Sequence, residues 1–233
     1  MGNANEAQMR AVMVAILGGL VCGFCLGPGP GTAGPWGRSP GAGFTSLEIS
    51  HAPGDSRLSA FAEYGLAEGY FTNVNLFATK PQGRPFTAEV TVMLARRYGP
   101  LWGDLQTSAG VVAGALRGTG PSTAFLGGAL SLGRSAQLGA HPGWAALDGQ
   151  VTWHVRPKEL RQKLDLTLGA DIGPRSTAMI QLFYSRQGRA ESMSLAPSIV
   201  FRRPGAARRW QIGAQLPRGG GAARIVLGLW QAF

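Results

Sequence analysis

The chain has 233 residues, enough for one all-β domain. With 36 Gly, 15 Pro and only 15% charged residues, it is poor in helix formers and suits short strands joined by turns. The formal charge is +10, but the basic residues are scattered over turns and segment ends (Arg84, Arg117, Lys158, Arg186, Arg189, Arg202, Arg203, Arg208, Arg209, Arg218). They form no basic face interleaved with stacking aromatics, so a nucleic-acid partner is excluded.

Near the N-terminus, Ala11 to Leu26 is a sixteen-residue apolar run behind Arg10. A Gly/Pro break and the small residues of Gly31-Thr-Ala33 follow it. That is the layout of a secretory signal, and the run is short for a spanning helix. The expected division is a signal peptide over 1–33 and a single domain over 34–233. Cys22 and Cys25 fall inside the signal, so the mature chain is expected to lack cysteine and disulfides. No lipidation motif is present.

From about residue 43 onward the dominant hydrophobic period is two, the period of a strand. The expected strands begin with the short segment Phe44–Ser50, then Ser56–Leu66, Tyr70–Thr79 and Phe86–Arg96. The last of these sets Ala88, Val90, Val92 and Leu94 against Thr87, Glu89 and Thr91. Leu105–Leu116 and Thr123–Gly133 follow, and Ala145–Val155 sets Leu147, Val151 and Trp153 against Asp148, Gln150 and His154. Leu160–Ile172 alternates over thirteen residues, long for a soluble strand and suited to a tilted membrane strand. Its polar face carries Arg161, Lys163, Asp165 and Asp171. Segments around Thr177–Ser185, Ser192–Phe201 and Trp210–Leu216 obey the same rule.

The final segment runs from Arg224 to Phe233, with Phe233, Gln231, Leu229, Leu227 and Ile225 on one face. It resembles the closing strand of bacterial outer-membrane β-barrels. The run Glu63-Tyr-Gly-Leu66 before Glu68-Gly69 is similar to hairpins of proteobacterial outer-membrane proteins. The resemblance implies an antiparallel up-and-down transmembrane β-barrel whose terminal Phe233, with Leu229, Leu227 and Ile225, is read by the barrel-assembly machinery. About twelve strands are expected, or eight to ten if weak segments fail.

Turn lengths bear on the same count. With the C-terminus periplasmic, the tight turns Ala67–Gly69, Gly173–Arg175 and Pro204–Gly205 fall on one side. Arg134–Gly143 reads as a longer connection on that same side. Aromatics near segment ends (Tyr64, Tyr70, Phe86, Tyr98, Trp102, Trp144, Trp153, Tyr184, Trp210) fit interfacial girdles. A soluble sandwich or lipocalin-like barrel is the competing fold, with apolar residues inside.

On the barrel reading, the lumen-lining residues are Glu63, Glu89, Asp148, His154, Arg161, Lys163, Asp165 and Asp171, with Asn73, Asn75, Gln150, Gln211 and Gln215. Rings of charge at close range set ion preference, so the expected activity is porin-like passage of small polar solutes. Two alternatives stand beside it. One is a structural or partner-binding barrel without transport, since small barrels are filled by their own side chains. The other is a lipid-modifying hydrolase. Against the latter, none of the three histidines has Ser two residues on, and Asp148 and His154 stand roughly 20 Å apart along a strand. No catalytic residue, metal site or cofactor is expected. Expected partners are outer-membrane lipid and lipopolysaccharide, whose phosphates suit arginines at outer turns.

Overall fold

The computed structural model describes residues 36–118 and 120–233; the signal-peptide expectation and both cysteines lie outside them. Twelve strands follow in order: β1 (Gly43–Ala52), β2 (Asp55–Ala67), β3 (Tyr70–Pro81), β4 (Thr87–Pro100), β5 (Gln106–Arg117), β6 (Thr123–Leu138), β7 (His141–His154), β8 (Glu159–Gly173), β9 (Ser176–Gln187), β10 (Ala190–Arg202), β11 (Arg208–Pro217) and β12 (Arg224–Ala232). Each pairs antiparallel with its sequence neighbour, and β1 pairs with β12 to close the ring. The result is the up-and-down barrel that alternating, hairpin-linked segments dictate, at the expected count of twelve.

Alternation fixes which way each side chain points. Leu94, Leu126, Leu227 and Ile225 face outward and are 50%, 62%, 55% and 64% exposed. Leu164, Leu168, Ile180, Ile199 and Ile212 join them around the ring. A soluble sandwich or lipocalin-like barrel would bury that face, whereas hydrocarbon solvates it. Tyr64, Tyr70, Tyr98, Trp102 and Trp210 gather near the mouth that holds the chain termini, here called the terminal mouth. Phe86, Trp153 and Tyr184 mark the opposite, far mouth. Trp144 departs from the girdle expectation. It pairs with Ser135 and Gly169 on the inward face, and a Cβ on Gly169 would lie 2.3 Å from its indole. The ring therefore lies flat on the inner wall, seated where β8 has no side chain.

Two expectations about connections are corrected. Arg134–Gly143 is not a loop: Arg134↔Ala145 and Leu138↔His141 are paired, leaving a turn at Gly139 and Ala140. Polar residues masked the strand, and Gly139 at φ +65° supplies the left-handed backbone the tight turn needs. Turn length also fails to separate the two mouths. Pro53-Gly54 and Gly188-Arg189 at the far mouth are as tight as Pro174-Arg175 at the terminal one, while Arg203–Ala207 is longer. β1 and β9 run further than their apolar residues suggest, because His51↔Ser56 and Ala190↔Gln187 pair through polar side chains.

At the seam, the Phe233 N–H donates to the Gly43 carbonyl at 3.0 Å, and the Gly43 N–H returns a bond to Phe233 at 2.7 Å. The Phe233 ring covers Gly43 so closely that a Cβ there would sit 2.2 Å from ring carbons. Gln231, which interrupts the apolar face, accepts from Arg208 Nε at 3.2 Å on the adjacent strand.

Candidate functional site

The inward face opens into two chambers. The far chamber, about 700 Å³, is lined by residues of β1–β4 and β7–β12, including Asp55, Arg57, Glu89, Arg161 and Arg224. The terminal chamber, about 370 Å³, is lined by Trp36, Phe44, Phe61, Glu63, Phe71, Trp144, Asp148 and Trp230 among others. Nine residues line both: Glu48, Asn75, Thr91, Gln150, Lys163, Asp165, Gln181, Phe183 and Gln211. The chambers therefore meet at a polar waist at mid-height. Around it the amides are engaged: Trp230 Nε1 donates to Gln211 Oε1 at 2.9 Å, and Gln211 Nε2 donates to Ser198 Oγ at 3.1 Å.

Ion pairs shape the space on either side of this waist. Arg161 Nη1 of β8 meets Glu89 Oε2 of β4 at 2.5 Å, spanning four strand positions around the ring. This chord closes off the β5–β6 wall, and the far chamber has no lining residue from β5 or β6. Beneath it Phe125 and His154 stack at 4.8 Å, with His154 fully buried and its Nε2 3.4 Å from Thr152 Oγ1. At the same mouth Asp55 is shared by Arg57 and Arg224.

At the terminal mouth, residues 36–42 fold back against β1–β4. Arg38 Nε meets Glu63 Oε1 at 2.8 Å, with 7% and 1% of the two side chains exposed. The Arg38 guanidinium also lies 5.0 Å from the Phe44 ring centroid. Gly41 N–H donates to Gly65 O at 3.0 Å, and a Cβ on Gly65 would strike the Ser39 carbonyl at 2.1 Å. Arg97 Nη1 donates to the Trp36 carbonyl at 3.0 Å, holding the segment from the β4 side.

The residues singled out by alternation distribute unevenly. Glu89, Arg161, Lys163 and Asp165 line the far chamber; Glu63 and Asp148 line the terminal one. Asp171 borders a separate pocket at the terminal mouth. His154 points inward by register but lines neither chamber, because Phe125 covers it. Asp148 and Asp165 are direct cross-strand partners, facing Glu48 from the opposite wall. Sequence reasoning passed over Glu48, Asp55, Arg57 and Arg224, although the period of two already puts them on inward faces of β1, β2 and β12. Arg38 carries no such signal, since it precedes the first strand. Among the described residues, no three His, Cys, Asp or Glu side chains converge as a metal site.

A closed antiparallel ring with an apolar exterior, aromatic ends and a polar interior defines the class: this is the fold of outer-membrane β-barrels. No protein-family model matches the chain, and no curated protein matches its sequence. Solved structures do match. A KdgM porin aligns with TM-score 0.59 at 10% identity, over 82% of this chain and 99% of its own. The same scores hold for a KdgM porin in complex with disordered oligogalacturonate. An outer-membrane channel from Pseudomonas putida F1 aligns with TM-score 0.57 at 13% identity, over 90% of this chain and all of its own, 100%.

Proposed function

We propose that the protein is an integral outer-membrane barrel that passes small polar solutes through a narrow, charge-lined lumen, with its terminal mouth toward the periplasm. The observation that carries this reading is the pair of chambers of about 700 and 370 Å³ meeting at a shared polar waist. A barrel that serves only as a membrane scaffold needs no such joined space, and its interior would be filled by side chains. The likeness to two channel-type barrels supports the reading, and one of those porins is seen with a polar oligosaccharide. At the waist Glu48 opposes Asp165 with Lys163 beside it, and Asp148 adjoins them in the terminal chamber, so permeation is expected to depend on solute charge. The hydrolase alternative gains nothing from His154, which is sealed beneath Phe125.

On this reading the far mouth faces outward. Its rim carries Arg84, Arg117, Lys158, Arg186, Arg189 and Arg218, suited to lipopolysaccharide phosphates. Phe233 with Leu229, Leu227 and Ile225 presents the outward face of the closing strand to the assembly machinery. The test is conductance of the refolded protein in a planar bilayer. Discrete current steps are expected. A folded barrel giving no current above the bare bilayer overturns passage in favour of a structural or partner-binding role.

A further inference from the structure

Most inward-facing arginines have an acceptor, and two facing each other do not. Arg38 has Glu63, Arg57 and Arg224 have Asp55, Arg161 has Glu89, and Arg97 has the Trp36 carbonyl. Arg202 of β10 and Arg209 of β11 have no ion pair among the described residues, and they stand directly opposite each other in register on the inward face. Like charges at directly opposed sheet positions repel. A third guanidinium, Arg175, joins them from the β8–β9 turn. Its carbonyl accepts the Arg202 backbone N–H at 3.0 Å, which ties that turn to β10.

The three arginines border one pocket of about 410 Å³ at the terminal mouth, with Ser176 and Thr177 on its wall. The other titratable groups facing it are Asp171 and His141. Asp171 already accepts a 2.7 Å bond from the Thr177 hydroxyl, and it is a single carboxylate against three guanidiniums. Planar guanidiniums grip phosphate and carboxylate oxygens in bidentate fashion, and Ser176 on the wall supplies a hydroxyl beside them, the Thr177 proton being held by Asp171.

We propose that Arg175, Arg202 and Arg209 form an oxyanion site that takes the phosphate group of a dissolved solute. Because Arg202 and Arg209 point into the barrel, the occupant is a free anion and not the headgroup of a surrounding lipid. The site goes beyond solute passage as such, since binding at a mouth does not require a conducting lumen.

The probe is inorganic phosphate, titrated by calorimetry into the refolded full-length barrel in nonionic detergent. Saturable binding is expected, weakened about tenfold or more in R202A/R209A and unchanged in R134A, whose guanidinium is paired with Asp104. Heat-modifiable mobility shows that each variant is folded; if the double variant does not refold, R202Q and R209Q are measured singly. Absent saturation, or equal affinity in the arginine variants, overturns the site. Binding of short-chain phosphatidylglycerol lost in the variants, without any phosphate binding, overturns the free-solute assignment and makes the occupant a lipid headgroup. Conductance of the same preparations reports separately on passage, so the two readings fail independently.

Discussion

Replacing Arg38 by Met tests how the terminal mouth is held. The substitution keeps most of the side-chain volume and removes the charge, leaving Glu63 with 1% of its side chain exposed and no cationic partner. Breaking a buried pair in this way costs about 3–5 kcal/mol, because the remaining charge is neither solvated nor compensated. The loss of the guanidinium over Phe44 adds roughly 0.5–2 kcal/mol. By contrast Arg134–Asp104 has a similar 2.7 Å contact but 67% and 49% exposed side chains. Water screens it, so Asp104→Asn is expected to cost at most about 1 kcal/mol. The assay is urea unfolding of the refolded protein in phospholipid vesicles, followed by tryptophan fluorescence, with R38M, E63Q and R38M/E63L compared as a cycle. The double variant should recover much of either single loss, giving a coupling of at least about 2 kcal/mol. Single losses below about 1 kcal/mol, or strictly additive ones, would refute the burial argument.

Three further outcomes follow from close contacts. Val at Gly43 must displace the Phe233 ring, which a Cβ would approach to 2.2 Å, so the heat-resistant folded band on gels is expected to fall sharply, as on deletion of Phe233; full assembly of both variants would contradict the seam. Val at Gly169 lifts the Trp144 indole from its seat into the terminal chamber, and single-channel conductance should fall at constant selectivity. Phe125→Ala removes the ring stacked on His154. His154, 0% exposed in the native barrel, should then be modified by diethylpyrocarbonate, as read by mass spectrometry, and equal protection in both proteins would count against Phe125 as its cover.

Much of this architecture was legible because strand alternation is local. Leu160–Ile172 separates into Leu and Ile against Arg, Lys and Asp whatever it pairs with, and β8 keeps that division. The same rule failed where apolar residues thin out. Arg134, Ser135 and Gln137 read as a loop because they carry no outward apolar signal, yet backbone pairing extends through all of them. Trp144 was misplaced since an aromatic near a segment end suggests a girdle, although its even spacing from Asp148 already puts it on the inward face; the empty Cβ position of Gly169 seats its ring against the wall.

Strand positions, antiparallel order and which residues of each strand face hydrocarbon follow from local pattern, because a period of two and a short turn are properties of neighbouring residues. Tertiary structure alone decided what happens inside the ring. Glu89 and Arg161 are 72 positions apart, and Arg224 and Asp55 are 169 apart. These pairs depend on ring closure and on the level each strand reaches, quantities no local pattern records. For the same reason alternation could turn His154 inward but could not show that Phe125 would cover it. Charge signs along the chain were readable; which charges would cancel and which would stand open at a mouth was settled only by the closed sheet.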